Sequence, residues 1–492
     1  MAFSISASRT NSMRSRWALA PADGRTAAGT STAAIARNDV NRRTLKSDTP
    51  GRVPAAGIEK ATDAAPARQR ASLAVAASLA LAAMAGCGGR AGDTPTGFMA
   101  GFLGAVVADE PYAAEVGREI VSAGGSAADA AVAMYFAMAV TLPSAASLGA
   151  NGVCIAHAHK TRQAEAIVFA APRPATASRA FDIAVPTAVR GMTLLHARHG
   201  ALRWEQLVAP AERMAREGVP VSRALARDLR EGAARLRADP AARRVFERGG
   251  GAAVGEGDRL TQIDLAATLS TIRVRGGGEF FAGAFARRLS DAVRDAGGGL
   301  SETDMRAAVA SATPAATTRF GSHTVYFAPS PPFQGGVAAR AAFTGAAPVS
   351  AGGAGGGEAA FVAIDRQANA VACVVGMNGP FGSARMAPGT GILMAAPPDS
   401  GGGASAAMVV ANTNTGDALL AGAASGGGGP AAVGTAARLA LGDGRPLGAA
   451  IAATSGGQVG MIVCPAGLRQ SPGLCQVVAD PRGYGLALVA GR

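Results

Sequence analysis

The sequence predicts a layered α+β sandwich. Three observations carry that expectation. Helical stretches dominate residues 112–310, a segment of almost only Gly, Ala, Pro, Val and Ser interrupts the chain at 344–357, and paired apolar strands follow it. The chain has 492 residues, room for one large domain or two ordinary ones. Aromatics are only 4% of it against 49% hydrophobic residues, so the core must be packed from Ala, Val, Leu and Ile.

Residues 1–66 are rich in Ser, Thr, Ala, Arg and Asp without a sustained apolar period, and read as a disordered or mis-assigned leader. Arg68 and Arg70 then precede the apolar run 71–86, too short for a membrane-spanning helix and of the right length for a secretory signal. Met84-Ala85-Gly86-Cys87 resembles a bacterial lipobox. The expectation is a signal peptide at 67–86, a true translation start downstream of Met1, and a mature chain lipidated at Cys87. Such a chain is exported and held on the periplasmic side of a bacterial membrane. The alternatives are a plain signal peptide cleaved nearby, without lipid, and a buried helix. Residues 87–100 read as a polar tether.

The globular region starts at 101, with a first part at 101–343. It opens with a strand at 101–108. Helices are expected at 112–123 and 127–140, the second apolar nearly all round and therefore buried. Strands follow at 152–158 and 165–170. Residues 204–248 read as helical and solvated, with further helices at 264–275, 282–296 and 302–310 and a strand at 323–328. The linker 344–357 leads into a second part at 358–492. Its strands are 360–365 and 370–375, joined by the turn Arg366-Gln367-Ala368-Asn369, then 406–411, and two near 458–464 and 476–487.

A series of motifs runs in order through the first part. It begins with Ala123-Gly124-Gly125-Ser126-Ala127-Ala128-Asp129-Ala130-Ala131-Val132, then Leu148-Gly149-Ala150-Asn151-Gly152, then Val185-Pro186 to Gly191-Met192. Trp204, Leu207, Pro210-Ala211, Ala215, Gly218 and Val221-Ser222 follow, then Gly257-Asp258 through Thr268-Leu269. Phe280-Phe281, Gly283, Gly298-Gly299-Leu300, Asp304 and Pro331-Pro332-Phe333-Gln334-Gly335-Gly336 complete it. In this order they resemble the γ-glutamyltransferase family of N-terminal-nucleophile hydrolases. The likeness continues more thinly through Gly382-Ser383, Gly391-Ile392-Leu393 and the glycines 426–429. It implies a four-layer αββα sandwich. It also implies an ancestral reaction in which the γ-glutamyl group of a glutathione-like donor passes to water or an amino acid. No cofactor is implied, and the partner of an active member is a small γ-glutamyl peptide.

That family cuts its own chain with a Thr hydroxyl, and the freed Thr amine then serves as base for the same hydroxyl. The motif at this point is TTH, an aromatic or Leu, then SVVD. Placing Phe361 and Asp365 on it leaves Glu358-Ala359-Ala360 under TTH, so the nucleophile position falls on Glu358, or on Ala359 after a shift of one. The second Thr falls on Gly376, with its neighbouring Asn kept as Asn378. The Arg that clamps the donor carboxylate falls near Ala170, with Arg173 displaced from it. The acid that holds the donor amine falls near Ser400, beside Asp399. The Ser pair before Met408 is Ala406-Ala407, and the oxyanion glycines match Gly427, Gly428 and Gly429. The resemblance therefore implies a family member that has lost its catalysis. The alternative is an active, divergent transferase or amidohydrolase whose nucleophile has moved.

Other chemistry is weakly signalled. The net charge of +13 is concentrated at the start, where residues 1–86 hold twelve Lys and Arg against five Asp and Glu. No basic stripe interleaved with aromatics follows, so nucleic acid is not an expected partner. His157, His159, His196, His199 and His323 lack neighbours at metal-ligand spacing, and no metal is expected. No G-x-S-x-G occurs. Cys464 and Cys475 flank a Pro/Gly-rich loop and are expected to pair, whereas Cys154 and Cys373 are expected as buried thiols.

Overall fold

The computed structural model describes residues 101–491, apart from 177, 179–180, 351–355 and 399–405. The leader, the signal segment and Cys87 lie outside the described residues.

Two antiparallel sheets face each other. The strands that build them are β1 (Gly104–Ala108), β2 (Asn151–Ala158), β3 (Gln163–Phe169), β4 (Ser311–Pro314), β5 (Ala316–Phe320), β6 (His323–Phe327), β7 (Glu358–Asp365), β8 (Ala370–Gly376), β9 (Ala406–Asn412), β10 (Ala418–Ser425), β11 (Gln458–Val463), β12 (Gln476–Ala479) and β13 (Leu486–Ala490). The first sheet has the order β13-β1-β7-β8-β2-β3-β4, and the second β12-β11-β10-β9-β6-β5. Small side chains interlock between them, among them Val107, Val362, Val374, Val409 and Ala421. Strands buried on both faces need apolar residues at every position, as Val371 to Val375 show.

Helices cover both outer faces. On the first sheet lie α1 (Pro111–Ser122), α2 (Ala127–Thr141) and α3 (Ala188–His199). Behind them pack α4 (Trp204–Glu217) and α6 (Ile263–Arg275), with α5 (Arg223–Arg237) and α7 (Ala284–Asp295) completing that side. On the second sheet lie α8 (Gly335–Thr344) and α9 (Gly429–Leu441). The result is the four-layer αββα sandwich. Every residue of α2 is buried, which explains its lack of a polar face.

Several elements differ from the sequence expectation. The single helical stretch expected at 204–248 is broken into α4, α5 and a short helix Pro240–Phe246. Gly218 takes φ +81° at the end of α4, and Pro220 and Pro240 cannot continue a helix. Residues 476–487 form no single strand: β12 and β13 belong to different sheets, separated by a turn in which the Asp480 carboxylate accepts the Arg482 N–H. Cys154 and Cys373 are buried, but not as thiols. They face each other across β2 and β8 and are joined. A second disulfide joins Cys464 to Cys475.

Glu110 caps α1 from a fully buried position. Its Oε2 accepts the Ala113 N–H at 2.9 Å and the Thr141 hydroxyl at 2.7 Å, while Oε1 has no partner. Burial pushes its pKa up to about 7. A raised carboxyl pKa destabilises the folded state as pH rises. The penalty is absent below the ordinary value of 4.5 and complete above about 7. Glu110→Gln is therefore expected to stabilise the chain by up to roughly 3 kcal/mol at pH 8 and to have little effect at pH 4.5. Urea unfolding at the two pH values checks this, and an equal effect at both would count against it.

Candidate active site

β7 begins at the mouth of the space between the sheets, and its first residue is Glu358. The approach is fixed by glycine: Gly357 has φ +72°, and a Cβ there would lie 2.1 Å from the Gly379 backbone. The Gly357 carbonyl accepts the Met377 N–H at 2.8 Å. Glu358 sits opposite Gly376 in the β7–β8 register, where a Cβ on Gly376 would come 3.3 Å from Glu358 Cγ. The larger side chain at 358 thus rests where 376 has none. Ala359 points the other way, fully buried in the core beneath the helices, so it presents nothing to the cleft. Asn378, at φ +58°, is held by Asn151, whose Nδ2 donates to its Oδ1 at 3.1 Å, and donates in turn to the Ala396 carbonyl at 2.8 Å.

Glu358 lines a cleft of about 380 Å³ together with Asp109, Arg227, Ser425, Gly426 and Tyr484. Its Oε2 accepts the Gly426 N–H at 2.9 Å. Asp109 follows β1 directly. Its Oδ2 accepts the Ala360 N–H at 2.8 Å and the Ser425 hydroxyl at 2.7 Å. Burial pushes the Asp109 pKa up to about 6, against the lowering effect of those two hydrogen bonds. Across the cleft, α5 presents Arg227, which pairs with Asp228 at 2.8 Å and lies 5.5 Å from the centre of the Tyr484 ring. The Ser144 hydroxyl donates to the other Asp228 oxygen at 2.6 Å.

The glycines after β10 form a tight turn into α9. Gly428 caps the helix at φ +79°, and the Gly429 N–H is taken by the Gly426 carbonyl at 2.9 Å. The N–H groups of Gly427 and Gly428 make no hydrogen bond among the described residues. Of the remaining candidates, Arg173 lies elsewhere. It pairs with Asp182 at 3.3 Å on an exposed surface, in a separate hollow with Phe181 and Gly299. Asp399 and Ser400 lie outside the described residues. His157 and His196 each meet a backbone carbonyl, of Gly416 and Leu202, at 2.8 Å, and His199 meets Glu165.

The sequence reading missed Asp109, Arg227, Ser425 and Tyr484. The available signal was local: Asp109 and Ser425 are polar residues that end wholly apolar strands, which is where side chains reach a cleft edge.

Two facing antiparallel sheets, helices on both outer faces and a strand that starts at the cleft define the N-terminal-nucleophile hydrolase fold. The structure of a cephalosporin acylase from Bacillus halodurans shares it, with a TM-score of 0.67 at 18% identity, covering 79% of this chain and 96% of that one. Residues 113–344 match the gamma-glutamyltranspeptidase family model, and through that segment the chain is similar to this family. A glutathione hydrolase proenzyme of Bacillus subtilis (strain 168) is 33% identical over 221 residues, 41% of this chain and 37% of that protein. Scoloptoxin SSD14 of Scolopendra dehaani is 33% identical over 216 residues, with the same shares. The chain thus spans under half the length of these curated relatives.

Proposed function

We propose that this chain keeps the family's fold and cleft but has lost the family's reaction, self-cleavage followed by γ-glutamyl transfer. The observation that carries this is Glu358 at the start of β7. Self-cleavage needs a hydroxyl or thiol on the residue after the scissile bond, so that the oxygen or sulfur can take the preceding acyl group. A carboxylate there cannot make the N-to-O shift, and its Oε2 is engaged by the Gly426 N–H. Turnover needs the same atom with a free amine beside it. Gly376 supplies no second hydroxyl, and Arg173, paired with Asp182, stands outside the cleft.

The chain is expected to run as one band on a reducing denaturing gel and to release no chromophore from a γ-glutamyl anilide. Glu358→Thr restores the attacking hydroxyl, and cleavage before residue 358 is its expected result. Transfer is not expected to return, because Arg173, the candidate clamp for the donor carboxylate, stands outside the cleft. Two reduced fragments and steady turnover from the unaltered chain would defeat this reading.

A further inference from the structure

The cleft does contain a hydroxyl, on a different strand. Ser425 ends β10, is 5% exposed, and lines the cleft through the face it shares with Asp109. Its Oγ–H donates to Asp109 Oδ2 at 2.7 Å, and the Ala360 N–H holds that carboxylate in place. Asp109 Oδ1 has no hydrogen-bond partner among the described residues. The chain then leaves the strand through Gly426 at φ +80° and Gly428 at φ +79° and enters α9 at Gly429. A serine at a strand end thus stands beside a carboxylate, with two unused backbone N–H groups, those of Gly427 and Gly428, in the turn that follows it.

We propose that Ser425 is an acyl-accepting nucleophile with Asp109 as its base, acting on small esters that carry a cationic group. The step balances without any group the cleft lacks. Ser425 Oγ forms a bond to the ester carbonyl carbon while its proton passes to Asp109 Oδ2. Collapse of the adduct breaks the ester C–O bond, and Asp109 returns the proton to the departing alkoxide. Water then attacks the acyl-serine carbonyl carbon while Asp109 takes its proton; the acyl C–Oγ bond breaks, Asp109 returns the proton to Ser425 Oγ, and the carboxylic acid leaves. A carboxylate is a weaker base than an imidazole, so the better leaving group of an ester suits this pair more than an amide does.

The cleft's charge selects the cation. Arg227 pairs with Asp228, and Asp109, Glu358 and the exposed Glu231 line the same space, while Leu142, Ala145 and Tyr484 offer apolar contact. At about 380 Å³ the cleft takes a small molecule. This site does not depend on the loss of the family reaction. A chain that cut itself would contradict that loss and leave Ser425 to be judged by its own chemistry.

The test uses the full chain, an alkyl fluorophosphonate, and the p-nitrophenyl ester of β-alanine. The expected result is a phosphonyl adduct in the tryptic peptide 386–438, placed on Ser425 by fragmentation. Ester hydrolysis should be lost in Ser425→Ala and fall about 10²–10⁴-fold in Asp109→Asn. Labelling should rise with pH through about 6, because Asp109 must be ionised to act as base. Arg227 and Asp480 act on Asp109 through space, and Glu231 and Glu358 line the same cleft. Ser425→Cys, labelled by iodoacetamide, provides a second variant of nearly the same shape, and its alkylation should likewise fall when Asp109→Asn is added. No adduct on the unaltered chain, an adduct on another residue, or hydrolysis unchanged in Ser425→Ala would each overturn the proposal.

Discussion

Replacing Cys154 and Cys373 together by Ala is expected to lower the unfolding free energy by roughly 4–5 kcal/mol. The bridge closes 219 residues of sequence separation, so breaking it restores a large loop entropy to the unfolded chain. Both residues are fully buried in the central strands β2 and β8, so the substitution also removes packed sulfur from the core. The bridge between Cys464 and Cys475 closes only 11 residues, and its removal should cost about 3 kcal/mol. Guanidinium unfolding of the two double variants, each compared with the oxidised parent, measures the difference. A larger loss from the short loop than from the long one would show that strand packing or residual unfolded structure, rather than loop closure, sets the effect.

Asp129→Ala should be the most damaging single substitution among the motif residues, by about 3–5 kcal/mol. One oxygen of this buried side chain accepts three backbone N–H groups, of Ser126, Ala201 and Leu202, at 2.9, 2.9 and 3.0 Å. In return, the Ser126 hydroxyl accepts the Asp129 N–H at 3.1 Å and donates to the His199 carbonyl. The pair therefore caps the buried α2 and ties it to the chain leaving α3. Alanine would leave the donors unpaired, and each buried orphan costs about 1–3 kcal/mol. Asp129→Asn keeps one acceptor oxygen and should lose about half as much. The check is a urea series on the three proteins. A shift below about 1 kcal/mol for Asp129→Ala would mean that water replaces the carboxylate.

Much of this architecture was legible because it depends on local pattern. Ser126 and Asp129 announce the start of α2, the uninterrupted apolar run after them requires burial, and the Gly-rich segment before Glu358 marks the passage to the second set of strands. The place of Glu358 at the start of β7 was readable because Phe361 and Asp365 fix the register of that strand. The cleft's other wall was not readable, because its contacts are remote in sequence. The Asp109–Ser425 bond spans 316 residues, and nothing local says that β1 and β10 end at the same edge. Arg173 illustrates the opposite error. Nearness in sequence to Ala170 suggested a clamp, but the chain turns away after β3 and carries Arg173 to Asp182.

The bond between Cys154 and Cys373 has a topological consequence. Its two ends lie on either side of Gly357–Glu358, so that junction sits inside a covalent ring. Cutting any single peptide bond between the two cysteines opens the ring and releases nothing. The two pieces would stay tethered, unreduced mass would rise only by one water, and dissociation into separate subunits would require a reductant as well as a protease. Within this chain, cleavage and separation are distinct chemical events under separate control.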